Sequence, residues 1–326
     1  QYFSQKRPIF IDGDRNQHFK MIEQLDKYEF KAPPKTQAIQ PFLNYIKKFG
    51  FLKIDEVFEI LKIVRYFYYL KQISFQNKLG EWIDKIEIPV YFEELNDFFN
   101  EKGEFREQKD DRLLNLTNRL SQTKNNISST LKRLLFTKKL EPYFVDKQIH
   151  YINEEEALLV RGGFNHVLKA NIIGRSSGGH FYVVPESIRS LKTQVNQIHQ
   201  DKESIYYEYA KQFSDSLNKQ ILFLQFLDKT FTKFDHYQAR VFFAQSKGTS
   251  FIKPSDDNKI RLVDFAHPAL YNPKPISVDF SKKVLMITGV NAGGKTMLLK
   301  SILSATFLSK YLIPMKIDKQ RSHIGN

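Results

Sequence analysis

Apolar positions along this chain follow two rhythms, and the places where one gives way to the other mark out its parts. Ile54, Val57, Phe58, Leu61, Val64, Tyr68 and Ile73 recur at intervals of three to five, which puts them on one face of a helix. Asp55 marks its N-cap neighbourhood and Gly80 lies beyond its end. Pro89 and Gly103 bracket a shorter predicted helix from Tyr91 to Phe99, and upstream Pro33-Pro34 closes a mixed segment over 1–37. Two stretches then run without Gly or Pro, between Gly103 and Pro142 and between Pro185 and Gly248. In the second, Ile188, Leu191, Val195, Ile198, Ile205, Tyr209, Phe213, Leu217, Ile221, Leu224, Leu227 and Phe231 form a heptad-like seam. A helix of about 45 residues is about 70 Å long at 1.5 Å per residue. That is far longer than the average helix of a compact domain, so its stripe needs a partner. Leu113, Leu116, Leu120, Ile127, Leu131 and Leu134 in the first stretch offer a matching one. A compact alternative breaks each long helix in two.

Between these stretches the period shortens. Ala157-Leu158-Leu159-Val160, Val167 to Ile173 and His180-Phe181-Tyr182-Val183-Val184 are β-prone runs set among Gly162, Gly163, Gly174, Gly178 and Gly179, and they predict strands joined by turns. After Gly248, Lys259 to Phe265 and the strongly apolar Val284-Leu285-Met286-Ile287-Thr288 predict strands, with a further one at Met315-Lys316-Ile317 and a helix from Lys295 to Lys310. The expected fold is mainly α with an α/β part. Its expected divisions are a helical core (1–103), an ascending helix (104–148), a β-rich tip (149–185), a descending helix returning to the core (186–248), and the N-terminal part of a P-loop domain (249–326).

Composition narrows the function. Lys and Arg number 50 against 36 Asp and Glu, a formal net charge of +14, so a polyanion is expected, with nucleic acid first. Hydrophobic residues make up 41% and charged residues 26%, which excludes global disorder. With no cysteine there is no disulfide scaffold, thiolate metal site or Cys nucleophile, and a reducing, cytoplasmic location is expected. No run of about 18 apolar residues predicts a membrane span. The opening Gln1-Tyr2-Phe3-Ser4-Gln5-Lys6-Arg7 has neither a signal-like apolar stretch nor an initiator Met, which predicts a piece of a longer protein.

The chemistry concentrates in Gly289-Val290-Asn291-Ala292-Gly293-Gly294-Lys295-Thr296, a full match to G-x-x-x-x-G-K-[ST] between a predicted strand and a predicted helix. Glycines let backbone N–H groups turn inward around phosphate oxygens. The following helix adds its positive end. Lys295 is expected on the β- and γ-phosphates of ATP or ADP, and Thr296 on Mg²⁺. The eight histidines show no metal-ligand spacing, and no Ser/His/Asp grouping is legible.

Val284 to Thr296 resembles the ATPase strand and P-loop of the MutS family, with Val290 where Pro is usual. His267-Pro268-Ala269-Leu270 is similar to the family's segment just upstream, with Ala266 in the place of its Arg. Ile172 to Glu186, containing Gly174-Arg175-Ser176-Ser177-Gly178-Gly179, is similar to the segment between the two lever helices in the type-two MutS branch, although Pro185-Glu186 inverts its final pair. Gly103-Glu104 resembles the turn before the ascending helix. The likeness runs from about residue 50 onward.

This resemblance implies a core-and-lever architecture, a homodimer and an ABC-like ATPase domain whose nucleotide site is completed by the partner. Ile324-Gly325 resembles the entry to the phosphate-sensing loop; the signature segment and the Walker B acid are absent from these residues, so no catalytic residue is assigned here and turnover by this chain alone is not expected. The resemblance further implies an ATP-dependent, DNA-structure-binding ATPase that suppresses recombination or aids repair, often carrying a C-terminal nuclease domain. The alternative it allows is action on stalled or collided ribosomes. Tyr271 lies near the family's adenine-stacking position, with Pro273 closer still. Phe92-Glu93-Glu94 and Phe105-Arg106-Glu107 match the mismatch-reading Phe-x-Glu only as chance among 29 Phe predicts.

At the tip, Arg161, Lys169, Arg175, Arg189 and Lys192 face only Glu186 within 161–192. Basic residues among glycines suit the backbone of branched or duplex DNA, read by structure rather than base sequence.

Overall fold

The computed structural model describes residues 13–152, 155–280, 282, 284–290 and 294–325. About 54% of the described residues are helical, and they include two small antiparallel sheets, which makes the fold mixed α/β. In order the elements are α1 (Arg15–Leu25), α2 (Gln40–Lys47), α3 (Ile54–Gln72), α4 (Asn77–Asp84), α5 (Tyr91–Asp97) and α6 (Asp111–Leu135). Then come β1 (Phe144–Ile152), β2 (Glu155–Val160), β3 (Ala170–Arg175), β4 (Phe181–Pro185), α7 (Arg189–Lys219) and α8 (Ile221–Lys247). Last are β5 (Ile260–Phe265), β6 (Ile276–Phe280), α9 (Lys295–Lys310) and β7 (His323–Ile324). They make two compact units, one of residues up to 43, 59–89 and 220 onward, the other of 44–58 and 90–219.

In the first unit, apolar rings of separate helices meet: Trp82 of α4 lies 5.9 Å from Tyr237 and 6.4 Å from Phe234 of α8. Helix α4 escaped the periodicity because it contains Gly80, placed above beyond the end of a helix. A Cβ there would fall 2.0 Å from the carbonyl oxygen of Phe75, so close backbone approach demands glycine. The remainder of this unit is a sheet in the order β6-β5-β7 with α9 against it. Leu262 and Phe265 of β5 and Ala305 and Leu308 of α9 share one buried cluster with Met315 and Ile324. Met315 and Lys316 make single bridges, to Ser250 and Ala266, instead of the strand predicted there.

Val284 to Thr288 is also not a strand: none of the described strands pairs with it, and Val284 and Met286 are 83% and 82% exposed. A run apolar on both faces is held by neighbours on both edges. Here no described strand lies at either edge of the run.

The second unit explains the long stretches. Helix α6 is shorter than the predicted 104–148 and runs 25 residues. It begins at Asp110, whose carboxylate accepts from the N–H groups of Arg112 and Leu113. It ends at Phe136, where the backbone leaves helical geometry, with the Thr137 hydroxyl donating back to the Arg133 carbonyl. α6 and α7 run antiparallel. Leu113 and Leu116 pack with Ile198 and Ile205 at one end, and Ile127, Leu131 and Leu135 pack with Ile188, Leu191 and Val195 at the other.

The single descending helix of about 45 residues is not formed. α7 has 31 residues and α8 27, separated at Gln220 (φ −99°, ψ 15°). The seam through Leu217, Ile221 and Leu224 keeps its spacing across the break, so periodicity conceals it. The β-rich tip begins at Phe144, not 149. A register slip between Phe144 and Ile149 interrupts the alternation that would have announced β1.

Candidate nucleotide and nucleic-acid sites

The Gly-rich motif runs into α9, the helix expected after it, while the strand expected before it is not formed. Gly294 stands before the helix in the left-handed region (φ 85°), with open space where a Cβ would project. Among the described residues no side chain caps the helix, which leaves its first N–H groups available to an anion. The Lys295 ammonium donates to the carbonyl oxygen of Gly289. Thr296 is exposed at the first turn, and Val290 is 77% exposed. This donor set of backbone N–H groups, one ammonium and one hydroxyl fits a polyphosphate with its magnesium ion. Asn291, Ala292 and Gly293 lie outside the described residues. His267 ties the preceding segment to α9: its Nε2 bonds the Ser304 hydroxyl at 3.0 Å, while its Nδ1 accepts from the Ala269 N–H. Tyr271 is 96% exposed.

The tip sheet has the order β1-β2-β4-β3, antiparallel throughout. Its inner face, Leu158, Val160 and Val183, is buried on Leu131 and Leu135 of α6. The five predicted cations fall at two ends of this sheet. Arg175 pairs across strands with Phe181, and Phe181 with Val160, so Arg175 and Arg161 share the end that carries the Ser176–His180 turn. There the Arg175 guanidinium lies 4.9 Å from the Phe181 ring, and Arg161 Nη1 donates to the Pro142 carbonyl. The turn is closed by Ser176 N–H donating to His180 O, with Gly179 in the left-handed region.

Lys169 precedes Ala170, which pairs with Pro185, so it lies at the opposite end beside Arg189 and Lys192. Arg189 and Lys192 line a cleft of about 840 Å³ with Lys124, Tyr151, Glu186 and His199. Lys192 is not free there: Glu155 holds its ammonium at 2.7 Å and Glu156 lies at 3.8 Å. Both carboxylates stand just before residue 161, outside the segment counted above. His150, another residue near the tip, bonds the Asp146 carboxylate at 3.0 Å.

Sequence reasoning missed a polar network at the start of α6. The Glu107 carboxylate accepts from Lys202, Thr117 and Tyr206. Asp110 accepts from the Arg112 guanidinium at 2.8 Å and from the Tyr209 hydroxyl at 3.0 Å. Hydrogen bonds from Arg112 chiefly, then Tyr209, hold the Asp110 carboxyl at about 2 against the opposing effect of burial. Burial pushes Glu107 up, but its hydrogen bonds outweigh that and leave it below the usual range. No local signal reveals partners about 95 residues apart; only the helical spacing of Lys202, Tyr206 and Tyr209 hinted that they share a face. Ser255, Asp257 and His323 also meet, but both contacts use His323 Nε2, which precludes a Ser-His-Asp relay. Among the described residues no group of three or more His, Asp or Glu stands ready for a metal ion, and no helix is long and apolar enough to cross a membrane.

No protein-family model matches the chain. Curated relatives do. It is 36% identical, over 329 aligned residues, to proteins named Endonuclease MutS2 from two strains of Helicobacter pylori, covering 99% of this chain and 43% of each relative. The protein of the same name from Borreliella burgdorferi is 29% identical over 180 residues, 54% of this chain and 23% of that relative. The chain thus spans less than half the length of the curated relatives it matches.

Proposed function

From the premise that this chain is MutS2-like, a stretch of a type-two member of the MutS family, we propose that its protein is an ATP-dependent ATPase that binds DNA by structure and acts in recombination control or repair. The observation that carries the reading is the P-loop: a left-handed Gly294 opening an uncapped α9, with Lys295 and Thr296 in its first turn. On nucleotide binding, the Lys295 ammonium exchanges the Gly289 carbonyl for β- and γ-phosphate oxygens. The first N–H groups of α9 take the remaining phosphate oxygens, and the Thr296 hydroxyl coordinates Mg²⁺. Tyr271 is free to stack on the base. Hydrolysis is assigned to groups outside these 326 residues, acting across a homodimer.

α6 and α7 serve as the paired levers, and the tip they carry holds DNA. Arg161 and Arg175 contact the backbone at the hairpin end, with Lys169 and Arg189 at the other; Lys192 contributes least, being already paired. The relatives' name, Endonuclease MutS2, extends the proposal to nucleic-acid cleavage by the whole protein, and no residue of this chain is assigned to it. The ribosome alternative draws no support from those names.

Calorimetry with ADP and Mg²⁺ tests the P-loop. Lys295→Ala removes charge-assisted bonds worth about 1.5–3 kcal/mol, so affinity is expected to fall about ten- to hundredfold. Unchanged affinity would remove Lys295 from the site.

A further inference from the structure

We propose that the corner formed by Tyr45, Phe49, Phe51 and Tyr207 is a stacking platform for single-stranded DNA, separate from the P-loop and from the tip. It goes beyond the function proposed above and does not depend on it: the P-loop and tip can fail their own tests while this surface binds, and the reverse.

The segment after α2 is built to hold rings in water. The N–H of Phe49 donates to Ile46 O at 2.8 Å and that of Gly50 to Tyr45 O at 3.1 Å, which ends the helix. Helices commonly close with glycine in the left-handed position. Here Phe49 occupies it (φ 59°) although Gly50 is the next residue. Gly50 is needed where it is, because a Cβ on it would sit 2.6 Å from the Tyr45 ring. The outcome is a phenyl ring 87% exposed on a strained backbone, beside a Tyr45 ring 53% exposed. Farther along, the Leu52 N–H donates at 2.8 Å to the buried Ser214 hydroxyl of α7. That bond fixes Phe51 against Tyr207, ring centroids 4.9 Å apart and nearly perpendicular. Phe51 and Tyr207 remain 38% and 54% exposed.

Charge selects the occupant. Lys47 and Lys48 precede Phe49, Lys53 follows Phe51, and Lys211 lies one helical turn beyond Tyr207; all four are exposed and none forms an ion pair with a described residue. Two of the nearby carboxylates are engaged, Glu56 with the Lys53 backbone N–H and Glu208 with the Arg112 guanidinium. Lysine is depleted in protein–protein interfaces, so four rings interleaved with four lysines do not suit a protein partner. They suit bases laid on aromatic faces with phosphates on ammonium groups. Duplex bases are already stacked on one another and cannot use such a surface, which leaves a single strand.

The test is fluorescence anisotropy on the full chain with labelled oligo(dT), oligo(rU) and linear duplex DNA. Phe49→Gly relieves the left-handed strain, so it preserves folding while removing the most exposed ring. Phe49→Gly and Tyr207→Ala are each expected to weaken oligo(dT) binding about five- to a hundredfold with the salt slope unchanged. Lys47→Gln combined with Lys48→Gln is expected to flatten the slope of log K against log salt by about 1.4. Duplex binding is expected to stay as in the wild type for all of them. Folded Phe49→Gly protein that binds oligo(dT) like the wild type overturns the proposal. So does an equal loss on duplex, or a wild-type chain that takes oligo(rU) in preference to oligo(dT).

Discussion

Asp110 combines three roles in one buried carboxylate: it caps α6, grips the Arg112 guanidinium and accepts from Tyr209. Those bonds hold its pKa at about 2, below the unfolded value near 3.9. A depressed carboxylate stabilises the fold at every pH above its unfolded pKa, and the contribution drains away as pH falls from about 4 toward 2. In Asp110→Asn the amide can still cap the helix but does not titrate. Urea unfolding between pH 6 and pH 2 is therefore expected to show an acid-induced loss smaller than the wild type's by about 1–2 kcal/mol. Glu107, also lowered, steepens the wild-type decline in the same direction. At this scale the sequence was uneven. The helix that opens at Lys295 could be placed because a local motif fixes its start. The fate of Lys192 could not, because its partners Glu155 and Glu156 come from another strand.

The elements were legible where one period ran uninterrupted between breakers. α3 starts at Ile54 and α9 spans Lys295–Lys310, as their patterns indicate. Where a geometric event left the pattern intact, or a bulge destroyed it, the pattern misled: the turn at Gln220 sits inside a continuous seam, and β1 hides behind its own register slip. The joint between tip and helices also makes a prediction. Leu131 is fully buried against Leu135 of α6 and Leu158 and Val183 of the sheet. Leu131→Ala is expected to cost about 2–5 kcal/mol in thermal or chemical unfolding, since the cavity cannot close between a helix and a sheet. A cost below about 1 kcal/mol would mean that the tip does not rest on α6 as described.

For the molecule as a whole, the charge surplus pointed to a polyanion, and the fold divides the basic tip residues between two ends of one small sheet. Composition could not supply that division, nor the neutralisation of one cation. If the tip holds a DNA backbone, replacing Arg161, Lys169 and Arg175 together by Ala is expected to flatten the slope of log K against log salt on branched and linear duplex by up to about 2.7, with no base-sequence preference before or after. An unchanged slope on both substrates would move the binding surface elsewhere in the protein.

If the protein is the ATP-dependent DNA binder proposed above, nucleotide at the P-loop governs how it holds DNA. The most direct measurement is the affinity for branched DNA in the presence and absence of Mg²⁺ and ATP, for wild type and Lys295→Ala. Wild-type affinity is expected to depend on nucleotide, and Lys295→Ala to keep the nucleotide-free affinity while losing the dependence. Wild-type affinity indifferent to ATP, or a dependence that persists in Lys295→Ala, would contradict it.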